Sequence, residues 1–152
     1  MSCQLDQRAK IESFDQEFRF LSNFYPTAVI HDGQVWSSAE HAYQAAKTNI
    51  KTQKEAIHRL PSARDAKKMG KLVDVRPDWD DVKVDIMYEI VHDKFHRNRH
   101  LGQLLLATED AELVEGNWWG DTFWGVCKGE GLNNLGKILM RVREELKNEI
   151  VI

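Results

Sequence analysis

Two carboxylates in this chain stand where aromatic and glycine residues crowd. Glu40 follows Trp36 and Ser37 and shortly precedes Tyr43; Asp121 lies in the segment WWGD, between Gly120 and Thr122. A carboxylate near a helix start and beside aromatic rings is either held ionised by the helix end or pushed toward protonation by desolvation. Two carboxylates on separate elements, if the fold joins them, are the usual apparatus for cleaving glycosidic bonds. Each also has a plain structural reading. Ser37-x-x-Glu40 fits a capping box, in which Glu40 bonds the Ser37 backbone N–H. Asp121 fits an Asx-type turn that stabilises its own loop.

The surroundings of Asp121 favour a site. From Glu115 to Gly136 the chain holds six of its nine glycines and three of its five tryptophans, with three asparagines. Glycine weakens regular elements, and tryptophan buries a large ring while pairing its N–H. Such a segment reads as an irregular loop pinned by aromatic anchors, presenting polar groups at fixed positions. Other candidates are weaker. Cys3 and Cys127 lack metal spacing, and Cys127 has no histidine near it in sequence, so it reads as a packed thiol. His92, His96 and His100 recur every four residues, but Lys94, Arg97 and Arg99 crowd the same turns and oppose a divalent cation. Arg64, Lys67, Lys68 and Lys71 read as the exposed side of a helix or as charge offered to a phosphate.

The elements that must hold these groups are largely helical. The run Val29 to Trp36 predicts a β-hairpin turning at Asp32-Gly33. Helices are expected over Ser37 to Lys47 and Thr52 to Leu60, and from Ser62 with Asp65 as capping partner. The longest, about Asp80 to Asn98, carries an apolar stripe through Ile86, Ile90 and Phe95 and has acids at its start. Further helices are expected over Gly102 to Ala107 and Leu132 to Lys147, with strands at Leu113 to Glu115 and Phe123 to Val126. The fold class is therefore α+β, mostly helical, as one compact domain with a small antiparallel sheet. Residues 1–13 read as a frayed N-terminus.

At 152 residues the chain fits one domain, and its net charge of −3 argues against bulk binding to duplex nucleic acid. No apolar run approaches a membrane span, and the N-terminus lacks a signal-peptide core, so a cytoplasmic location is expected.

The motifs, taken in order, resemble a known family. They are FLSNFYP (Phe20 to Pro26), VWSSAEHAYQAAK (Val35 to Lys47), ARDAKKMGK (Ala63 to Lys71) and PDWDDVKVDIM (Pro77 to Met87). KFHRN (Lys94 to Asn98), the run from Ala107 to Val126 ending in WWGDTFWGV, and GLNNLGKILMRVREEL from Gly131 complete the series. The chain is thereby similar to the YbiA-like, or NADAR, family. The resemblance implies a single YbiA-like domain and N-glycosidase chemistry on phosphorylated ribosylaminopyrimidine intermediates of riboflavin biosynthesis. Two alternatives within the resemblance are removal of ADP-ribose from modified guanine in nucleic acid and a non-catalytic ADP-ribose-binding module. It places catalysis on Glu40, Trp79 and Asp121. It puts Ser22, Asn23 and Phe24 on the pocket wall, and Trp36, Lys68, Gly70, Trp119, Gly120, Trp124 and Gly125 among the substrate-binding residues. The implied partner is a small phosphorylated ribosyl compound, and no metal or redox cofactor is called for.

Overall fold

The computed structural model describes residues 8–150. Cys3 lies outside the described residues. The element order begins with β1 (Lys10–Ile11), a 3-10 helix (Gln16–Leu21), β2 (Pro26–His31), β3 (Gln34–Ser38) and α1 (Ala39–Ala46). It continues through α2 (Lys51–His58), α3 (Ala63–Gly70), α4 (Trp79–Arg97) and α5 (Arg99–Leu106). The short strands β4 (Glu112–Leu113), β5 (Gly116–Asn117) and β6 (Val126–Cys127) precede α6 (Asn134–Ile150).

The hairpin forms where expected. Asp32 and Gly33 both take positive φ, 52° and 76°, so the turn twists with its strands. Trp36 pairs with Val29 across the antiparallel ladder. β2 rests on α4, where the Asp93 carboxylate accepts the Ile30 amide at 2.7 Å. The other pairings are parallel and two residues long: β1 with β4, and β5 with β6. Part of the segment expected to be frayed is thus tied down. Amides of Glu112 and Val114 donate to the Ala9 and Ile11 carbonyls, both at 2.8 Å, and Ile11 packs against the core.

α1 is the hub. It touches α2, α3, α4 and the hairpin, and all eight of its residues are buried. Four alanines explain how so many elements approach it, since a small side chain keeps backbones close. Its polar residues are paired inside except at Gln44 Oε1: His41 bonds Ser38 Oγ at 2.7 Å and the Leu60 carbonyl at 2.9 Å. α6 lies against α4, α5 and β4 and closes the core with Leu135, Ile138, Leu139 and Val142. α3 begins as its sequence predicts, with Ser62 Oγ accepting the Asp65 amide at 3.1 Å. The stretch expected as a strand at Phe123 to Val126 is irregular up to Gly125, because its backbone is used elsewhere. The carbonyls of Phe123 and Trp124 accept the amides of Asn134 and Leu135 and so cap the start of α6.

Candidate active site

Glu40 sits one residue inside α1, but not in a capping box. The cap is Ser38, whose hydroxyl accepts the His41 amide at 3.1 Å. The Glu40 amide instead donates to the Asn23 carbonyl at 3.0 Å, fastening the Ser22–Asn23–Phe24 wall to α1. That wall is held from behind by Lys94, a fully buried side chain whose Nζ donates to the Ser22 carbonyl at 2.8 Å. Burial pushes the Lys94 ammonium down to about 7. The freed Glu40 carboxyl accepts from Gln44 Nε2 at 2.5 Å, one turn along. Burial raises its pKa above the ordinary carboxylate value; the Gln44 bond, Lys67 and Lys47 oppose that rise in part, and Asp121 adds to it.

Asp121 combines its two readings. Its Oδ1 accepts the amides of Phe123 at 3.1 Å and Trp124 at 2.9 Å, an Asx turn that shapes the loop. The residue nonetheless lines the same cavity as Glu40, a space of about 340 Å³ whose wall also includes Asn23, Phe24 and Trp124. Trp124 Nε1 donates to Tyr43 Oη at 3.1 Å, locking the loop onto α1.

Several expected residues stand elsewhere. Trp79 opens α4 and packs on Tyr43 at 5.1 Å between centroids; it supports the wall from behind and is not part of it. Trp36 is buried on the far side of α1, edge-on to His58, and borders a separate cavity. Lys68 is exposed to solvent. Its neighbour Lys67 is the single cationic side chain on the cavity wall among the described residues, with Nζ 5.1 Å from the Trp119 ring and 5.8 Å from that of Phe24. Helical geometry turns adjacent residues by about 100°, so a basic run alone does not say which member faces inward. Gly70 ends α3 against Gln44, where a Cβ would overlap the Gln44 amide. Gly120 takes φ 88° at the loop tip, and Gly125 lets the chain pass the Glu115 carboxylate.

Sequence reasoning passed over Glu115 and Trp118, both on the cavity wall. Burial lifts the Glu115 carboxyl to about 7, with Asp121 and Glu40 adding to the rise while the Asn117 hydrogen bond and Lys67 oppose it. Trp118 stands edge-on to Trp119 at the rim and is 85% exposed. Its exposure is the signal that was available only in three dimensions: a large aromatic left in solvent beside a cavity. Among the histidines, His96 stacks on His92, and its ring nitrogens face the His92 carbonyl and the Glu149 carboxylate at 2.8 and 3.0 Å. Cys127 is buried in β6, away from the cavity wall.

The match to known proteins covers almost the whole molecule. N-glycosidase YbiA of Escherichia coli is 36% identical over 140 residues, 90% of this chain and 87% of that protein. An N-glycosidase of Nostoc punctiforme is 39% identical over 88% of each chain. A riboflavin biosynthesis protein of Vibrio vulnificus is 42% identical over 136 residues, but this chain spans only 37% of its length. The solution structure of Escherichia coli YbiA superposes with a TM-score of 0.84 at 34% identity, over 97% of this chain and 91% of that one. The likenesses to the Escherichia coli and Nostoc proteins, which run over nearly the whole of both chains, support a hydrolase of N-glycosyl compounds. The NADAR domain matches residues 11–147, and the chain belongs to the NADAR family. Among the described residues no helix is long and apolar enough to cross a membrane.

Proposed function

We propose that the chain hydrolyses the ribosyl C–N bond of phosphorylated ribosylaminopyrimidine intermediates of riboflavin biosynthesis. The observation that carries this reading is the meeting of Glu40 and Asp121 on one cavity with a cation, Lys67, and an aromatic rim. Cleaving a ribosyl C–N bond builds positive charge on C1′ and the ring oxygen, and a carboxylate aimed at that face stabilises it as it develops. Glu40, rigidly placed on a buried helix, takes this role and receives the proton of the attacking water. Asp121 is its partner across the cavity. Lys67 offers its charge to the 5′-phosphate, and Trp118 and Trp119 stack the planar aglycone. Trp79 acts through Tyr43 as a positioning residue. The cavity's volume, about 340 Å³, suits a ribose phosphate bearing one ring better than a dinucleotide-sized ligand. Carboxylates and a phosphate-binding cation suffice for this chemistry, so no metal or redox cofactor enters it. The Vibrio protein and a Zea mays relative, of which this chain spans 37% and 23%, are both named riboflavin biosynthesis proteins, which fits this pathway.

The test is Glu40→Gln. Gln keeps the shape, so the protein folds and still binds ribose phosphates. Turnover of a ribosylaminopyrimidine phosphate, followed as free base and ribose 5-phosphate by chromatography, falls by roughly 100-fold or more. Wild-type turnover in a folded Glu40→Gln protein would remove Glu40 from the mechanism.

A further inference from the structure

Glu115 is one of four carboxylates on the cavity wall, with Asp15, Glu40 and Asp121. It forms no ion pair among the described residues, although a partly buried carboxylate without a cation is costly to keep. Its backbone is pinned on both sides: the Glu115 amide donates to Asn133 Oδ1 at 3.0 Å, and its carbonyl accepts the Val126 amide at 2.9 Å. Its carboxylate accepts from Asn117 Nδ2 at 3.1 Å. The same Asn117 side chain receives the Asp121 amide at 2.9 Å and donates to the Asp121 carbonyl at 2.9 Å. One amide therefore sets Glu115 and Asp121 relative to each other. Gly125 packs directly on Glu115, where any Cβ would meet the carboxylate and the carbonyl. This is a side chain held in place at a cavity, not a surface acid.

From this placement we infer that Glu115 is the general acid of the reaction, donating its proton to the departing nitrogen. The inference rests on the N-glycosidase reading above and supplies the one group that reading lacks. In the step, the C1′–N bond breaks and its electron pair goes to nitrogen, which takes the proton of the Glu115 carboxyl. The water oxygen bonds to C1′ and its proton passes to the Glu40 carboxylate. The products are ribose 5-phosphate and the free amine, and the two carboxyls return to their starting states by exchange with solvent. The charged groups around Glu115 fit an acid that stays protonated near neutrality. Asp121 from the loop and Glu40 from α1 disfavour a further negative charge, and Asp15 shares the same cavity wall. Lys67 from α3 opposes them, and the balance with burial leaves the carboxyl at about 7.

The experiment compares two substrates: a ribosylaminopyrimidine phosphate, whose nitrogen needs a proton to leave, and a nitrophenyl riboside 5-phosphate, whose phenolate leaves without one. Glu115→Gln lowers kcat on the first by about 100-fold or more. On the second it stays within a few-fold of wild type, which also shows that the variant is folded. Glu40→Gln loses turnover on both. In the wild type, the first substrate shows an alkaline fall near pH 7 that the second lacks, and Glu115→Gln abolishes that fall. Equal losses on both substrates, or no loss on either, overturn the assignment. Should Glu115→Gln melt out, the wild-type profiles still decide, because the same alkaline fall on both substrates overturns it too. A wild type that cleaves neither substrate sinks the N-glycosidase reading itself, an outcome distinct from a failure confined to Glu115→Gln.

Discussion

Glu115→Gln should stabilise the protein above neutral pH. Folding raises the Glu115 carboxyl from 4.5 to about 7, chiefly by burial, so the folded state holds this proton more tightly than the unfolded chain. Its contribution to stability is then complete below pH 4.5 and is lost as the pH rises to about 7. The interval from 4.5 to 7 is roughly 2.5 decades, equivalent to about 3.4 kcal/mol at 1.36 kcal/mol per decade. Part of the side chain reaches solvent, which screens the interaction, and roughly 1–2 kcal/mol is the realistic penalty. Gln keeps the shape and accepts the Asn117 amide without carrying charge. At pH 8 the variant should therefore melt about 2–8 °C above wild type, since 1 kcal/mol moves a domain of this size by about 2–4 °C. At pH 4.5 the two should coincide. The assay is a series of thermal melts from pH 4.5 to 8.5 on both proteins. A difference that does not grow with pH, or a variant less stable at pH 8, would refute the claim that burial holds the proton on Glu115.

Three other outcomes follow from the geometry. Lys67→Met should raise KM for the phosphorylated substrate by about tenfold or more, as expected for loss of a charge-assisted contact, and leave the unphosphorylated riboside unchanged; equal effects on both would place the phosphate elsewhere. Trp118→Ala should leave folding stability within about 0.5 kcal/mol of wild type, the ring being exposed, while weakening substrate binding by roughly 1–3 kcal/mol of lost stacking; unchanged KM would take Trp118 out of recognition. Lys94→Met removes one of two donors to the Ser22 carbonyl, the Tyr25 amide at 3.1 Å remaining, so thermal melts should show a loss of about 0.5–1.5 kcal/mol; an unaltered melt would mean that the wall does not depend on this bond.

What the sequence disclosed, and what it hid, follow the range of the forces involved. The Asp32-Gly33 turn and the Ser62 cap were legible because a few neighbouring residues settle them. The cap of α1 falls on Ser38 because His41 can reach that hydroxyl from both backbone and ring, a choice the spacing Ser37-x-x-Glu40 does not reveal. Lys67 was indistinguishable from Lys68 until the azimuth of α3 was fixed by packing on α1. Trp79 and Trp36 carry rings large enough for a site, yet tertiary packing turns them into support and core. Glu115 gave no local sign at all. Its distinction arises from Asn117, Asp121 and Gly125 meeting around it, and from the burial that results.

The enclosure of α1 separates the two halves of the cavity in time. A helix whose residues are all buried exchanges its amide hydrogens only when the surrounding structure opens, so Glu40 belongs to a part of the molecule that is costly to open. Asp121 belongs to an irregular loop held by a few hydrogen bonds and one tryptophan anchor. Excursions of the cavity wall short of global unfolding fall to its irregular segments, Ser13 to Asp15 and Gly116 to Asp121, rather than to α1. Ligand passage is thus set by the breathing of those segments against the more rigid helix that carries Glu40.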